Sequence, residues 1–235
     1  IQNSPSNGIL ESDEGRNTSL YFDGSDDEVK VNGDDFISGN EPRTVSVWAA
    51  GNGGNIISLG DGHSFNKRFS ILVNGDGFVR IIGESNDWET NYYLPQDQMT
   101  NLVVTHDGST VRLYADGEFQ GETEKTYDTD ANMPIMIGTD TDNRNDEYFN
   151  GIIDDVSVWR SVLSIEDIQI LYQDPKSVME VSDGESLIGY WDFNEGSGDI
   201  AFDASPNQNN GIVYSATWNI EEGSNESPNF TYTPY

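Results

Sequence analysis

Short apolar stretches recur along this chain about every eight to twelve residues, with Gly, Asp and Asn between them. This spacing is typical of strands joined by tight turns, and it favours a β-sandwich or a β-barrel. The 235 residues are enough for one large all-β domain or two small ones, with a substantial core. The predicted strands are residues 19–22, 44–50, 55–59, 69–73, 78–82, 101–105, 111–114, 134–137 and 152–159.

Two local signals refine this prediction. The Asp-Gly pair at residues 116–117 separates two strand-like runs, and such a pair suits a two-residue hairpin turn that needs positive φ at both positions. Ser164 is followed three residues later by Asp167, which predicts a helix N-terminus with a capping box. Ile165 and Ile168 then share one helical face, so we expect one short helix packed on the sandwich.

The composition excludes several classes of function. Acidic residues outnumber basic ones by 42 to 11, for a net charge of −31, so binding to nucleic acid through a basic surface is not expected. The acidity indicates either a solvated, salt-tolerant surface or a few cation sites, and the two are compatible. No cysteine is present, which excludes disulfides, thiolate metal sites and cysteine nucleophiles and favours a bacterial surface protein.

A polar, acidic segment at residues 177–185 marks a candidate boundary. We therefore divide the chain into a main domain over residues 1–186, a C-terminal extension over 187–220 and a linker or tail over 221–235. The extension contains Trp191, Phe193 and Trp218 among turn residues, which is the spacing of sandwich strands. No run of apolar residues is long enough to cross a membrane, so membrane insertion is not expected.

Four stretches carry a family resemblance. They are LYFDG with DDEV at residues 20–29, VVTHDG with VRLYADG at 103–117, GIIDDVSVW at 151–159, and LSIEDI at 163–168. In this order they resemble the laminin-G-like and pentraxin-like jelly-roll domains of the concanavalin A-like superfamily, over about residues 19–173. The resemblance implies an all-β fold: a two-sheet antiparallel jelly-roll β-sandwich with one short helix.

The stretch from residue 190 to 218 resembles a piece that usually precedes the first of these motifs. It either opens a further, truncated repeat or folds back to complete the same sandwich. Similar tails follow such domains in secreted proteins of the Bacteroidetes, which favours the second alternative.

The acidic segment IGTDTDNRNDE at residues 137–147 lies between two predicted strands. Asp140 and Asp142 alternate, so in an extended loop both carboxylates point the same way, with the Thr141 carbonyl between them. Calcium takes about six to eight oxygen ligands of this kind. The segment is therefore either a calcium site or a solvated acidic turn.

The same segment also resembles the calcium loop of pentraxins. The ligands implied by this resemblance are Asp140, the Thr141 carbonyl, Asp142, and Asp146 or Glu147. An Asp-Asn pair from a preceding hairpin contributes in pentraxins, and the loop at 61–66 offers Asp61 and Asn66 at that place.

A second calcium site is implied by the resemblance to the concanavalin A-like fold. Asp23 lies in the first strand motif, and Asp154 and Asp155 lie in the last one. Because these motifs pair in that fold, the three carboxylates are candidate ligands of one structural ion. The alternative is that Asp23 binds the backbone amides of its own turn.

Sugar-binding surfaces use aromatic rings in polar loops, since the C–H face of a pyranose packs on a flat ring. Trp88, Tyr92 and Tyr93 in the polar segment 85–93 fit this description, and the alternative is that at least one of them packs in the core. Asn143 and Asn145 are further candidate ligand-binding residues.

Catalysis has little support. Sandwich glycosidases need two carboxylates on one face of a strand, whereas Glu84 and Asp87 would face opposite ways. We therefore predict no catalytic residues and no enzyme.

The expected function is calcium-assisted recognition of an extracellular polysaccharide or glycoprotein, at the cell surface or outside the cell, within a larger chain of several domains. One alternative is a structural or adhesive spacer in an adhesin or phage fibre. A second alternative is a glycoside hydrolase or lyase.

Overall fold

The computed structural model describes residues 17–33, 36–141, 147–181 and 184–221. These residues form two antiparallel sheets of eight strands each and one α-helix, which confirms the predicted fold class. The strands are β1 (Asn17–Asp23), β2 (Glu28–Val31), β3 (Arg43–Asn52), β4 (Gly54–Gly60), β5 (Arg68–Val73), β6 (Phe78–Ile82), β7 (Trp88–Tyr93), β8 (Thr100–His106), β9 (Thr110–Ala115), β10 (Glu118–Glu124), β11 (Ile135–Ile137), β12 (Asn150–Trp159), β13 (Leu187–Trp191), β14 (Ile200–Ala201), β15 (Gly211–Tyr214) and β16 (Thr217–Glu221).

The two sheets interleave distant parts of the chain. Sheet 1 has the order β10-β9-β8-β3-β12-β1-β16, and sheet 2 has the order β14-β15-β2-β11-β4-β5-β6-β7. Strand β12 has two partners on one edge, because its first half pairs with β1 and its second half pairs with β13. Half of the fourteen strand pairs join strands that are far apart in sequence, as in a jelly roll.

The main core lies between the two sheets. Successive strand residues alternate between the inner and the outer face of their sheet. In β9, for example, Val111, Leu113 and Ala115 are buried while Arg112 and Tyr114 are partly exposed. The buried aliphatic and aromatic side chains of both inner faces form one continuous cluster. This packing provides most of the stability of the fold.

The helix α1 (Ile165–Gln173) begins where the sequence predicted. The Ser164 hydroxyl accepts from the backbone amide of Asp167, and the Asp167 side chain accepts in return at Ser164, which completes the capping box. Ile168 and Leu171 pack with Trp159 in a smaller cluster on the outer face of sheet 1. Within the described residues no helix has the length and apolar character to span a membrane.

The C-terminal segment contributes strands to both sheets. β13 pairs with β12 and β16 with β1, while β15 pairs with β2. Trp191 and Phe193 are fully buried in the main core, and the Trp191 indole donates to the Asn209 carbonyl at 2.9 Å. Glu221 ends β16, and residues 222–235 lie outside the described residues.

All nine predicted strands are present, most of them extended by one or two residues. β2 was not among the predicted strands, and a polar loop was predicted where β7 lies. In β7 the inward-facing positions include Thr90, which is buried and donates its hydroxyl proton to the Val79 carbonyl at 2.6 Å. A polar residue at such a position breaks the apolar alternation by which strands are recognised.

Candidate functional site

The predicted calcium segment is described at its two ends only. Asp140, Thr141 and Glu147 have defined positions, whereas Asp142, Asn143, Asn145 and Asp146 lie outside the described residues. Asp140 follows the end of β11, and Glu147 precedes β12. The segment therefore leaves sheet 2 and returns to the strand at the centre of sheet 1, with both of its described acidic residues directed at the outer face of sheet 2.

A buried arginine lies between these two acidic residues. Phe69 and Ile71 of β5 point into the main core, so Arg68 and Ser70 point to the outer face of sheet 2. The Arg68 side chain is only 1% exposed. Its Nη1 lies 2.6 Å from Asp140 Oδ2, and its Nη2 lies 2.7 Å from Glu147 Oε2.

Two further side chains complete the surroundings of this guanidinium. Nη2 donates to Asn55 Oδ1 at 2.8 Å, and Nη1 lies 3.4 Å from Glu84 Oε2. The Asn55 amide in turn donates to Glu147 Oε2 at 2.7 Å. We call Arg68, Asp140, Glu147, Asn55 and Glu84 the Arg68 cluster. It joins β4, β5, the turn after β6 and the segment between β11 and β12, and it was not predicted.

Electrostatics of the Arg68 cluster favour ionised Glu147. Burial raises the pKa of this carboxyl group, but the positive charge of Arg68 and the hydrogen bonds from Arg68 and Asn55 outweigh burial, so the net pKa is lowered. Charge-assisted bonds of this length are among the strong hydrogen bonds of proteins.

The loop that contains Asp61 and Asn66 lies beside the calcium segment. The Thr141 hydroxyl donates to the Gly60 carbonyl at 2.9 Å and accepts from the Gly62 amide at 3.0 Å. Asp61 accepts from the backbone amide of His63 at 2.9 Å, and its pKa is lowered mainly by hydrogen bonding to Ser64. Asn66 has a φ of 62°, and its side-chain oxygen accepts from Asn86 at 2.8 Å.

The second predicted calcium set is not brought together. Asp23 pairs with Asn150, and Asp154 lies four residues farther along β12, which is a separation of about 13 Å. Asp23 instead accepts from the Ser25 amide at 2.8 Å, as the alternative interpretation predicted. Its carboxylate lies near those of Asp26 and Asp27 in an acidic turn. One ion therefore cannot bind Asp23 together with Asp154 and Asp155, and that part of the prediction is wrong.

Asp154 and Asp155 lie in a β-bulge of β12. The register with β3 shifts after Asp154, and Asp155 has a φ of 46°. Asp154 is buried and accepts from the Asp155 amide at 2.9 Å, while Asp155 accepts from the Tyr190 hydroxyl. Burial is the main cause of a raised pKa in both carboxyl groups, and nearby Asp192 contributes to both shifts; the pKa of Asp155 is raised to about 6.

The three predicted sugar-binding aromatics divide between two faces. Trp88 and Tyr92 are partly buried and pack against the main core, so the structural explanation holds for them. Tyr93 is 47% exposed and lies against Phe78 of the neighbouring strand, which is 39% exposed. Their ring centroids are 5.9 Å apart and the rings are nearly perpendicular.

Polar side chains and a glycine surround this aromatic pair. Tyr93 packs on Gly77, where an added Cβ would lie 2.4 Å from Tyr93 Cε2. Arg80 and Glu89 form an ion pair on the same strand pair, and Gln96 donates to the Tyr93 hydroxyl at 3.4 Å. Phe78 was not predicted as a binding residue, because only its pairing with Tyr93 distinguishes it from a core residue.

The acidic residues considered for catalysis have other roles. Glu84 and Asp87 lie in the turn between β6 and β7 rather than on a strand. Glu84 contacts Arg68, and Asp87 accepts from the Gly83 amide at 3.0 Å. Glu84 therefore connects the turn to β5, and Asp87 stabilises the turn itself.

Comparison with known structures shows the same architecture. A protein from Bacteroides ovatus assigned to carbohydrate binding aligns with a TM-score of 0.66 and 16% identity over 88% of this chain, which spans 60% of that protein. A heptameric SAP-like pentraxin from Limulus polyphemus gives 0.55 and 17% identity over 66% of this chain and 82% of its own. Domain 4 of the arabinanase AbnA from Geobacillus stearothermophilus, solved with arabinotriose, gives 0.52 and 19% identity over 66% and 76%.

These identities are low, and the likeness to the solved structures establishes the fold alone. No curated protein sequence matches the chain. Residues 22–169, more than half of the chain, match the family described as the concanavalin A-like lectin/glucanase superfamily. The chain therefore belongs to the concanavalin A-like lectin/glucanase superfamily.

Proposed function

We propose that this domain is an extracellular, non-catalytic module that binds a neutral glycan through Phe78 and Tyr93. The observation that carries the proposal is the exposure of two adjacent aromatic rings on the outer face of β6 and β7. Large exposed apolar groups that lie in contact on a sheet are uncommon unless they bind something. Among the ligands of this superfamily's fold, a sugar ring suits such a surface best.

The perpendicular arrangement of the rings supports a sugar ligand. One ring offers its face to the C–H groups of a pyranose, and the other closes the side of the same sugar. Arg80, Glu89 and Gln96 supply donors and acceptors for hydroxyl groups beside the rings. A few polar groups around an apolar surface are the usual composition of a ligand site.

The charge of the chain favours a neutral ligand. With 42 acidic and 11 basic residues, the domain repels sulfated or uronate-rich polysaccharides. Arg80, a cation on the same strand pair as the aromatic pair, is already balanced by Glu89 and Asp87. The proposed ligand is therefore a neutral oligosaccharide or polysaccharide.

A second candidate function is an interaction domain in a larger protein, as the spacer alternative holds. Four exposed apolar residues cluster on β14 and β15 at the far edge of sheet 2, where Ile200 pairs with Ile212. These residues, between 37% and 53% exposed, are Ile200, Phe202, Ile212 and Tyr214. Contact with a neighbouring domain would cover them.

The calcium dependence stays a prediction. Asp142, Asn143, Asn145 and Asp146 of the acidic segment lie outside the described residues. Arg68 already contacts Asp140 and Glu147. The binding assay therefore includes one arm with millimolar calcium and one with EDTA.

The test is a screen of neutral and anionic glycans followed by titration calorimetry on the best ligand. We expect a neutral glycan to bind and Tyr93→Ala to weaken binding at least about tenfold, or 1.4 kcal/mol. Phe65→Ala is the matched control, because Phe65 is 70% exposed but lies in the loop after β4, which contacts the β6–β7 turn at the opposite end of these strands from Phe78 and Tyr93. Equal affinities for wild type and Tyr93→Ala, or binding to no glycan, would contradict the proposal.

A further inference from the structure

Arg68 is buried on the outer face of a sheet, where charged side chains are normally solvated. A buried guanidinium is costly unless carboxylates and hydrogen-bond acceptors surround it. Here acceptor oxygens come from three segments: Asn55 on β4, Glu84 after β6, and Asp140 and Glu147 at the two described ends of the segment between β11 and β12. Together with β5, which carries Arg68, the guanidinium therefore links four segments of the chain.

The oxygens around Arg68 are of the type that calcium binds. Carboxylates and an amide carbonyl, converging from irregular segments, form the usual calcium shell at about 2.3–2.6 Å. Two of the predicted calcium ligands, Asp140 and Glu147, have a carboxylate oxygen 2.6 and 2.7 Å from a guanidinium nitrogen. An ion at their centre would have to displace Arg68, so the described residues do not fit a calcium ion while the arginine is in place.

We propose that Arg68 takes the place of a divalent cation in holding Asp140 and Glu147, the two described ends of the segment between β11 and β12. The positions of these two residues, and of the 60–62 loop that Thr141 binds, are then independent of calcium. This inference does not rest on the glycan proposal, and it departs from the calcium loop that the pentraxin resemblance implied.

The test compares thermal melting of wild type, Arg68→Lys and Arg68→Met in EDTA and in millimolar calcium. We expect Arg68→Met to lower the melting temperature by about 10 °C in EDTA, because it leaves buried carboxylates unpaired. Arg68→Lys should fall between it and wild type. Calcium should raise the melting temperature of Arg68→Met more than that of wild type, since the vacated oxygens become available to an ion.

Two further variants test whether the effect is specific to Arg68 and whether the acidic segment binds calcium. Arg80→Met removes an arginine of the same sheet that also contacts two carboxylates but is 28% exposed, and it should change neither stability nor the calcium response appreciably. Asp142→Ala/Asp146→Ala should respond to calcium as wild type does, and this comparison decides the matter even if Arg68→Met fails to fold. A wild type that loses stability in EDTA, with a calcium response abolished in Asp142→Ala/Asp146→Ala, would overturn the proposal.

Discussion

A group of carboxylates is buried on the outer face of each sheet. One group contacts a positively charged side chain and the other does not. On sheet 2, Asp140 and Glu147 contact the guanidinium of Arg68 directly. On sheet 1, Asp154 and Asp155 receive hydrogen bonds from a backbone amide and from the Tyr190 hydroxyl. No lysine or arginine among the described residues forms an ion pair with them.

This difference reverses the direction of the pKa shifts. Burial raises the pKa in both places, but Arg68 outweighs it at Glu147, whose pKa is lowered. At Asp155 nothing outweighs burial, and the pKa rises to about 6. Acidic residues close together in a sequence therefore do not reveal a cation site by themselves, because their chemistry depends on which cation the fold brings to them.

The two regions also differ in where their partners come from. Every member of the Arg68 cluster lies between residues 55 and 147. The partner of Asp155 is Tyr190 of β13, in the C-terminal segment. Removal of that segment would therefore take away a direct partner of the second region and none of the first.

The largest effect is expected from deletion of residues 187–235. The deletion uncovers half of β12 and removes Trp191 and Phe193, both fully buried, from the main core. We expect the truncated chain to lose cooperative unfolding or to aggregate, as measured by circular dichroism during heating. A truncated chain that melts as sharply as the full chain would show that the C-terminal strands are dispensable.

Neutralising one carboxylate in each region should have opposite effects near pH 8. Glu147→Gln loses charge-assisted bonds to Arg68 and should destabilise the protein by about 1.5–3 kcal/mol. Asp155→Asn removes a buried charge, and Asn also tolerates the positive φ at this position, so it should stabilise by on the order of 1 kcal/mol.

Urea unfolding measures both changes, with Glu89→Gln as the control for an exposed ion pair worth about 0–1 kcal/mol. If Glu147→Gln and Asp155→Asn changed the free energy of unfolding in the same direction, the proposed difference between the two regions would be contradicted.

The stabilisation of the protein by Asp155→Asn should depend on pH. Since the folded pKa of Asp155 is raised from 3.8 to about 6, the folded state binds the proton more tightly than the unfolded state. Wild-type stability from this group is greatest below pH 3.8 and is lost as the pH rises to about 6. The difference between variant and wild type should therefore grow through this range and level off above it.

The sequence predicted the fold better than the site. Strands and the capped helix depend on neighbouring residues, so alternation in β9 and the Ser164–Asp167 pair are visible locally. Arg68 lies 72 residues before Asp140 and 79 residues before Glu147. Its neighbours in the sequence show only that Arg68 occupies a polar position in a strand where Phe69 and Ile71 are the apolar positions. The acidic segment was therefore interpreted without the cation that the fold supplies. The aromatics of β7 were similarly ambiguous until pairing assigned Trp88 and Tyr93 to opposite faces.

The most direct measurement is a carbon-13 NMR titration of the Glu147 and Asp155 carboxyl groups in wild type and in Arg68→Met. In wild type the pKa of Glu147 should lie below its ordinary 4.5, and that of Asp155 should be about 6. In Arg68→Met the pKa of Glu147 should rise above 4.5 while that of Asp155 stays unchanged, because only Glu147 loses its cation. A Glu147 pKa unaffected by the loss of Arg68, or an Asp155 that titrates near 3.8 in wild type, would contradict the account.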